Sequence, residues 1–442
     1  MAGLQQVCGQ QHQKDQIVNK NDIIKLKIED ITSEGEGVGR TDSFVWFVKD
    51  VIPGDEIEAV VMKLKKTYGY ARLVRVIKPS PDRIEPRCPK ARACGGCSLQ
   101  AMSYEAQLRF KRNKVRNNLI RIGGFDEALI EDILAQTIGM DDPWRYRNKA
   151  IVPVGKDRAG RLTAGFYAAH SHDIVSCEDC LLQPAEFAGI LREHLSDGMT
   201  HMLLRKGYKT GEVMAYAVEN RENNAVLSGK LTHIYGPETI YDMIGDLRFK
   251  ISPRSFFQVN PLQVEKLYGK ALEYAGLTGN EIVWDLYCGI GTITLFLAGH
   301  ARRVYGVEIV EDAIRDAIDN AEINGIKNAR FFVGKAEEVT LREDFEKPDV
   351  VVVDPPRKGC DPVCLDTIIR MSPDRVVYVS CDSATLARDL KILCAAGYSL
   401  KAATPVDMFP QSVHVETVCL LSKLNAKQHI EINLDMDELD FL

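Results

Sequence analysis

The sequence predicts a multidomain protein: a small N-terminal β-barrel, a central α+β domain with a cysteine cluster, and a C-terminal α/β domain on a mostly parallel sheet. Its 442 residues exceed one ordinary domain. From about Asp22 to Ile77, short alternating apolar runs (IIKLKIEDI, FVWFV, EIEAVVMKL, YARLVRV) are separated by Gly- and Asp-rich turns, as in a barrel of short strands. After Arg254 strand-length apolar runs alternate with helical ones, the pattern of βαβ units.

The expected organisation follows. Residues 1–15 are polar and Gln-rich and read as a disordered tail. Residues 16–77 form the barrel, 78–250 the central domain and 251–425 the α/β domain, and 426–442 form an acidic tail. A basic helix is expected over Leu108–Ile122. In the α/β domain helices are expected at Val264–Ala275, Thr292–Ala298 and Glu311–Asn324. Strands are expected at Ile282–Leu286, Arg303–Val307, Arg330–Val333, Val350–Val353, Val376–Ser380 and Val413–Leu421.

Composition is that of a globular protein, 45% hydrophobic and 27% charged. The sequence has neither an apolar run long enough to span a membrane nor a secretory leader, so a cytoplasmic protein without a membrane partner is expected. In that reducing compartment the twelve cysteines should be free, catalytic or metal-bound. The net charge of −6 hides a local excess of cations. Val61–Arg92 holds ten basic residues against Asp82 and Glu85, which suits a face that grips a polyanion. No obligate protein partner is predicted, and a monomer is the default.

Three strand ends carry chemistry. EIVWDL runs into Tyr287-Cys288-Gly289-Ile290-Gly291, VVVV into Asp354-Pro355-Pro356-Arg357, and RVVYVS into Cys381-Asp382. In an open parallel sheet ligands gather at the carboxyl ends of strands, so these read as one active site. Gly289 and Gly291 allow close backbone approach to a ligand. Glu308 ends the next strand nineteen positions after Gly289, where an acid accepts hydrogen bonds from ribose hydroxyls. No Walker lysine follows. The turn resembles the class I methyltransferase motif that holds S-adenosylmethionine. Cys381 is a candidate nucleophile, and Glu416, in an otherwise apolar run, a candidate base. Cys288, Cys360, Cys364, Cys394 and Cys419 read as small buried hydrophobes, and His414 as scaffolding.

DLYCGIGT, DPPRKG, VVYVSCD and HVET, in that order, together with SPRSFFQVNP from Ser252 to Pro261, resemble the RNA 5-methyluridine methyltransferases. The resemblance runs from about residue 20 to 424. It implies a Rossmann-like class I methyltransferase domain, with Cys381 as nucleophile toward uracil carbon 6 and Glu416 as the acceptor of the carbon 5 proton. It places Gln258, Tyr287, Gly289, Thr292, Glu308 and Asp354 at the cofactor. Thr292 stands where many relatives have Asn. Asp354 and Phe256 are implied at the target base, Phe256 by stacking.

Cys88, Cys94 and Cys97 in CPKARACGGCSLQ, with Cys177 or Cys180 as a fourth ligand, offer four thiolates for zinc or an iron–sulfur cluster. The CGGCxLQ form resembles the 4Fe-4S site of 23S ribosomal-RNA uridine methyltransferases, where the fourth ligand aligns best with Cys180. The SEGEGVGR and IPGD turns resemble the TRAM domain, an oligonucleotide-binding-type barrel. Its candidate RNA contacts are Lys63, Lys65, Lys66, Tyr68, Tyr70 and Arg72. Because tRNA-specific relatives are expected to match only the latter two-thirds of the chain, 23S ribosomal RNA is the favoured substrate. The rival readings are a tRNA uracil-5 methyltransferase, an RNA cytosine-5 methyltransferase and a non-catalytic assembly factor.

Overall fold

The computed structural model describes residues 18–41, 44–157, 159–169, 171–220, 226–339 and 346–424. The tails expected at 1–15 and 426–442 lie outside the described residues. The chain divides into two compact units. One comprises the residues up to Glu85 together with Ala101–Ser103; the other comprises Pro86–Gln100 and everything from Tyr104.

In the first unit β1 (Ile23–Ile31), β2 (Gly37–Thr41), β3 (Phe44–Val48), β4 (Glu56–Leu64) and β5 (Tyr68–Lys78) close into a barrel in the order β1-β2-β3-β5-β4. Alternation sends Ile24, Leu26 and Ile28 inward against Trp46, Val48, Ile57, Ala59 and Val61. Gly69 lets β5 cross the indole, since a β-carbon there would stand 2.5 Å from the Trp46 ring. The buried Asp55 carboxylate accepts from the amides of Ile52 and Ser80 and pairs with Arg83 at 2.7 Å, so this buried charge is neutralised.

The second unit opens with α1 (Tyr104–Arg121) and α2 (Glu127–Ile133). A six-stranded sheet follows from β6 (Lys149–Lys156), β7 (Leu162–Tyr167), β8 (Ile174–Ser176), β9 (His201–Lys206), β10 (Val213–Glu219) and β11 (Lys230–Tyr235), ordered β11-β10-β9-β6-β7-β8. Helix α3 (Glu186–His194) packs Phe187, Ile190 and Leu191 on its Ala150, Val152, Met202 and Leu204 face. A hairpin, β12 (Ile240–Ile244) and β13 (Leu247–Ile251), leads to a seven-stranded sheet.

That sheet is assembled from α4 (Pro261–Ala275), β14 (Ile282–Leu286), α5 (Thr292–Ala298), β15 (Arg303–Glu308), α6 (Glu311–Ile323), β16 (Ala329–Val333), α7 (Ala336–Val339), β17 (Val350–Val353), α8 (Pro362–Met371), β18 (Arg375–Ser380), α9 (Ser383–Ala395), β19 (Tyr398–Val406) and β20 (Glu416–Lys423). Its order is β16-β15-β14-β17-β18-β20-β19, with β20 antiparallel to both neighbours and the first five strands parallel. The apolar run of β17 is explained by burial on both faces. Val350 and Val352 enter one core and Val351 and Val353 the other. Helices α1 and α2 place Val115, Leu119 and Ile130 in that second core, so they pack on the seven-stranded sheet.

The strand expected from Val413 begins instead at Glu416. Residues 407–415 form a strap, because their polar groups bond to α1 rather than to a neighbouring strand. Lys111 Nζ lies 2.5 Å from Asp407 Oδ1 and also donates to the Phe409 carbonyl, and Lys114 donates to that of Val413. Gln107 and Gln411 exchange two 3.0 Å bonds, with Gln411 held at φ 69°.

Candidate active site

The sheet register brings the predicted residues to one edge. Leu286 pairs with Val307 and Val353, and Val353 with Tyr378. Tyr287, Glu308, Asp354 and Cys381 therefore emerge at the carboxyl ends of β14, β15, β17 and β18. Strand β20 runs the other way, so its first residue, Glu416, starts at the same edge.

After β14 the chain turns sharply. Tyr287, Gly289 and Gly291 all take positive φ, 70°, 53° and 82°, and the Tyr287 and Cys288 amides both donate to the Val307 carbonyl. A β-carbon on Gly291 would press on Ala317 and Phe331 at 3.1 Å, whereas one on Gly289 would meet no protein atom within 4 Å. Gly291 thus serves packing, and Gly289 opens onto space a ligand can enter. Glu308 accepts from the amides of Gly289 (3.3 Å), Ile309 (2.8 Å) and Val310 (3.0 Å), which fixes its carboxylate beside the turn. Asp285 is buried, accepts from Thr294 at 2.5 Å, and leaves Oδ1 without a hydrogen-bond partner among the described residues. Burial pushes its carboxyl up to about 7.

Tyr268 of α4 ties the remaining cofactor candidates together. Its hydroxyl lies 3.0 Å from that of Thr292, and the Gln258 side chain and the Asp354 charge both act on it electrostatically. The Thr292 hydroxyl is thereby engaged with protein. Gln258 is buried, and its carbonyl accepts from Asn148. Phe256, two residues earlier, is 67% exposed while Phe257 is buried in the core.

Cys381 sits half-buried between β18 and α9. Asp382 caps α9 by accepting from the Ala384 and Thr385 amides, and the Ser380 hydroxyl closes the turn on Asp382. Burial, then the negative charges of Glu416 and Asp354, push the Cys381 thiol up to about 12, while Arg357 opposes them. Glu416 is buried and its carboxyl lies well above the usual range, through burial and Asp354, with Arg357 again opposing. Burial pushes Asp354 itself up to about 7. One thiol, two acids and one cation thus share a desolvated edge. Arg357, quoted in DPPR, and Tyr268 received no role from the sequence. The first was signalled by a cation three residues after a strand-end acid, the second by a hydroxyl on the largely apolar buried face of α4.

Cys88, Cys94, Cys97, Cys177 and Cys180 line one cavity of about 130 Å³. Among the described residues no three Cys, His, Asp or Glu side chains converge closely enough to hold a single ion. Burial pushes the Cys97 thiol up to about 12, with Cys180, Cys94 and Cys88 adding to the shift. Cys288, Cys360, Cys364 and Cys419 are buried, and Cys394 is half-buried.

On the barrel, Lys63, Lys65, Lys66 and Arg72 are exposed along β4, its turn and β5. Tyr68 and Tyr70 join Phe47, which the sequence did not single out, in a cluster of three rings 5.7–5.8 Å apart. A cross-strand aromatic was the available signal, because Phe47 and Tyr70 are register partners. Among the described residues no helix is long and apolar enough to cross a membrane.

Comparison with known proteins agrees with this geometry. The family model for tRNA (Uracil-5-)-methyltransferase matches residues 238–424, and that for the TRAM domain residues 18–74. An uncharacterized RNA methyltransferase of Halalkalibacterium halodurans is 45% identical over 92% of this chain and 98% of its own. One from Clostridium acetobutylicum is 42% identical with the same coverage. The crystal structure of Pyrococcus abyssi tRNA (uracil-54, C5)-methyltransferase in complex with S-adenosyl-L-homocysteine superposes with a TM-score of 0.72 at 29% identity, covering 90% of this chain and all of its own. The expectation that tRNA enzymes match only the latter two-thirds of the chain is thereby corrected, since this one spans the barrel as well. By its matched family and domain models and by relatives of this identity and coverage, the chain belongs to the family of RNA uracil-5 methyltransferases.

Proposed function

We propose that the protein methylates carbon 5 of uracil in RNA through a transient bond between Cys381 and carbon 6 of the ring. The observation that carries this reading is the opposition of Cys381 and Glu416 at the sheet edge, with Asp354 and Arg357 beside them. Carbon 5 of uracil is too weak a nucleophile alone. Addition of the Cys381 thiolate to carbon 6 makes the ring an enolate whose carbon 5 attacks an electrophilic methyl. Glu416 then removes the carbon 5 proton, and the electron pair of that C–H bond re-forms the ring double bond as sulfur leaves carbon 6. Phe256 would stack on the displaced base.

S-adenosylmethionine supplies the methyl group as a sulfonium. Gln258, Tyr287, Gly289, Thr292, Glu308 and Asp354 would hold it, and the open space beyond Gly289 and the fixed Glu308 carboxylate fit it. The Pyrococcus relative, bound to S-adenosyl-L-homocysteine, supports the same cofactor. Cys88, Cys94, Cys97 and Cys180 would hold a 4Fe-4S cluster. The five thiols that line one cavity are compatible with that donor set. The cluster would tie the loop of residues 88–97 to the turn of residues 177–180. Lys63, Lys65, Lys66 and Arg72, with the aromatic trio, would grip RNA in the cytoplasm.

The substrate proposed is 23S ribosomal RNA, on the CGGCxLQ form. The Pyrococcus relative favours a second reading, tRNA. Nucleoside mass spectrometry of separated ribosomal and transfer RNA, from cells with and without the gene, tests both. Loss of 5-methyluridine from 23S RNA is expected. Loss from tRNA alone would establish the second reading, and loss of 5-methylcytidine would overturn the uracil assignment.

A further inference from the structure

Strands β6 and β9 set two cations directly opposite each other, for Lys149 and Arg205 are register partners in an antiparallel pair. Both project from the sheet face that carries Ile151, Leu203 and Tyr216 into the core shared with the catalytic sheet. Like charges at opposed positions destabilise a sheet. No salt bridge relieves either of them among the described residues, and no acid contributes to the electrostatics of either. Arg205 is only 3% exposed. One guanidinium nitrogen donates to the Ser255 carbonyl, while its buried Nε has no hydrogen-bond partner. Lys149 is partly exposed, and burial followed by the charge of Arg205 pushes its ammonium down to about 7. Two desolvated cations with an unmet donor make a place that an anion would neutralise.

The neighbourhood says which anion. Arg205 bonds Ser255, the residue before the exposed Phe256. Asn148, adjacent to Lys149, holds the same loop through the carbonyls of Gln258 and Val259 at 2.9 Å each. We propose that Lys149 and Arg205 form a subsite for one RNA phosphate, that of the nucleotide whose base stacks on Phe256. This rests on the RNA reading above. The phosphate would pair with the partly exposed Lys149, keep it charged beside the buried Arg205 guanidinium, and fix the backbone of the extruded nucleotide against the loop that carries Phe256. The other anion within the same chemistry is the carboxylate of the cofactor, since Gln258 shares the loop.

The test uses the full-length protein, single-stranded oligouridylate as the probe, and Lys149→Gln beside Lys149→Arg. For wild type, the logarithm of the affinity should fall linearly with the logarithm of salt concentration. Lys149→Gln should bind more weakly and flatten that slope by about 0.7, the contribution of one single-strand phosphate. Lys149→Arg should restore it. Thermal stability of ligand-free Lys149→Gln should not fall, because a like-charge contact is removed, and affinity for S-adenosylhomocysteine should be unchanged. An unaltered salt slope in Lys149→Gln would overturn the subsite. Weakened S-adenosylhomocysteine binding with an unaltered RNA slope would assign the anion to the cofactor and overturn it equally. Whether wild type methylates uridine is read separately by methyl incorporation, so failure of the parent reading is distinguishable.

Discussion

Cys381 and Glu416 stand one residue beyond the last rung that pairs β18 with β20. Ser380 and Thr417 are register partners in the antiparallel β18–β20 pair, so the residue after the first opposes the residue before the second. Opposed residues of an antiparallel pair project to the same face. The thiol and the carboxyl therefore stand near each other at one sheet edge, close enough for the Glu416 charge to act on Cys381.

Burial favours the protonated forms of Cys381 and Glu416, and that gives a charge-dependent prediction. Burial with two nearby acids pushes the Cys381 thiol up to about 12. A sulfonium brought to Asp354 and Glu416 adds positive charge and favours the thiolate, whereas the neutral thioether product does not. The pH profile of Cys381 alkylation, followed by peptide mass mapping, should shift down by about one unit or more with the sulfonium cofactor and not with its product. Equal profiles with both would remove the electrostatic account.

Glu416 also makes stability depend on pH. Its folded carboxyl lies well above the ordinary 4.5, so between about pH 4.5 and the raised value the folded protein binds more protons than the unfolded chain. Stability of the ligand-free enzyme therefore falls as pH rises through that window. Glu416→Gln should raise Tm at pH 8 by about 2 °C or more and lose the advantage near pH 4. The same variant should accumulate the methylated covalent RNA complex. Multiple turnover at the wild-type rate would refute Glu416 as the base.

The strap before Glu416 depends on a buried ion pair. Lys111 and Asp407 are fully buried, 2.5 Å apart. Lys111→Met leaves the carboxylate without its counter-ion and should cost about 3–5 kcal/mol in denaturant unfolding. Lys111→Met with Asp407→Leu should recover part of that loss. Equal destabilisation of single and double variants would show that lost packing, rather than the stranded charge, dominates.

The cysteines make separable predictions. Cys180→Ser should lower the iron content of anaerobically purified protein and its visible absorbance. Cys177→Ser, in the same cavity but outside the proposed ligand set, should leave both near wild type. The opposite pattern would exchange their roles.

Most of the site was legible because strand ends are marked by abrupt changes in residue type. An apolar run closing on Asp-Leu-Tyr-Cys-Gly, Asp-Pro-Pro or Ser-Cys-Asp signals a carboxyl edge without knowledge of strand order. The strap was not legible. Val413 and Val415 alternate with polar residues like a strand, and only the distant partners Gln107, Lys111 and Lys114 reveal a loop. Arg357 was hidden for a related reason, since its influence on Cys381 and Glu416 arises from three strands meeting at one edge. The Lys149–Arg205 opposition depends on a register that neither local sequence specifies.

The most direct measurement is incubation with 5-fluorouridine-substituted RNA and S-adenosylmethionine, followed by denaturing electrophoresis and mass spectrometry. Fluorine at carbon 5 leaves Glu416 no proton to remove, so wild type should remain bonded through Cys381 to a methylated fluoropyrimidine, and Cys381→Ala should form no such species. Undiminished RNA methylation by Cys381→Ala would contradict the account.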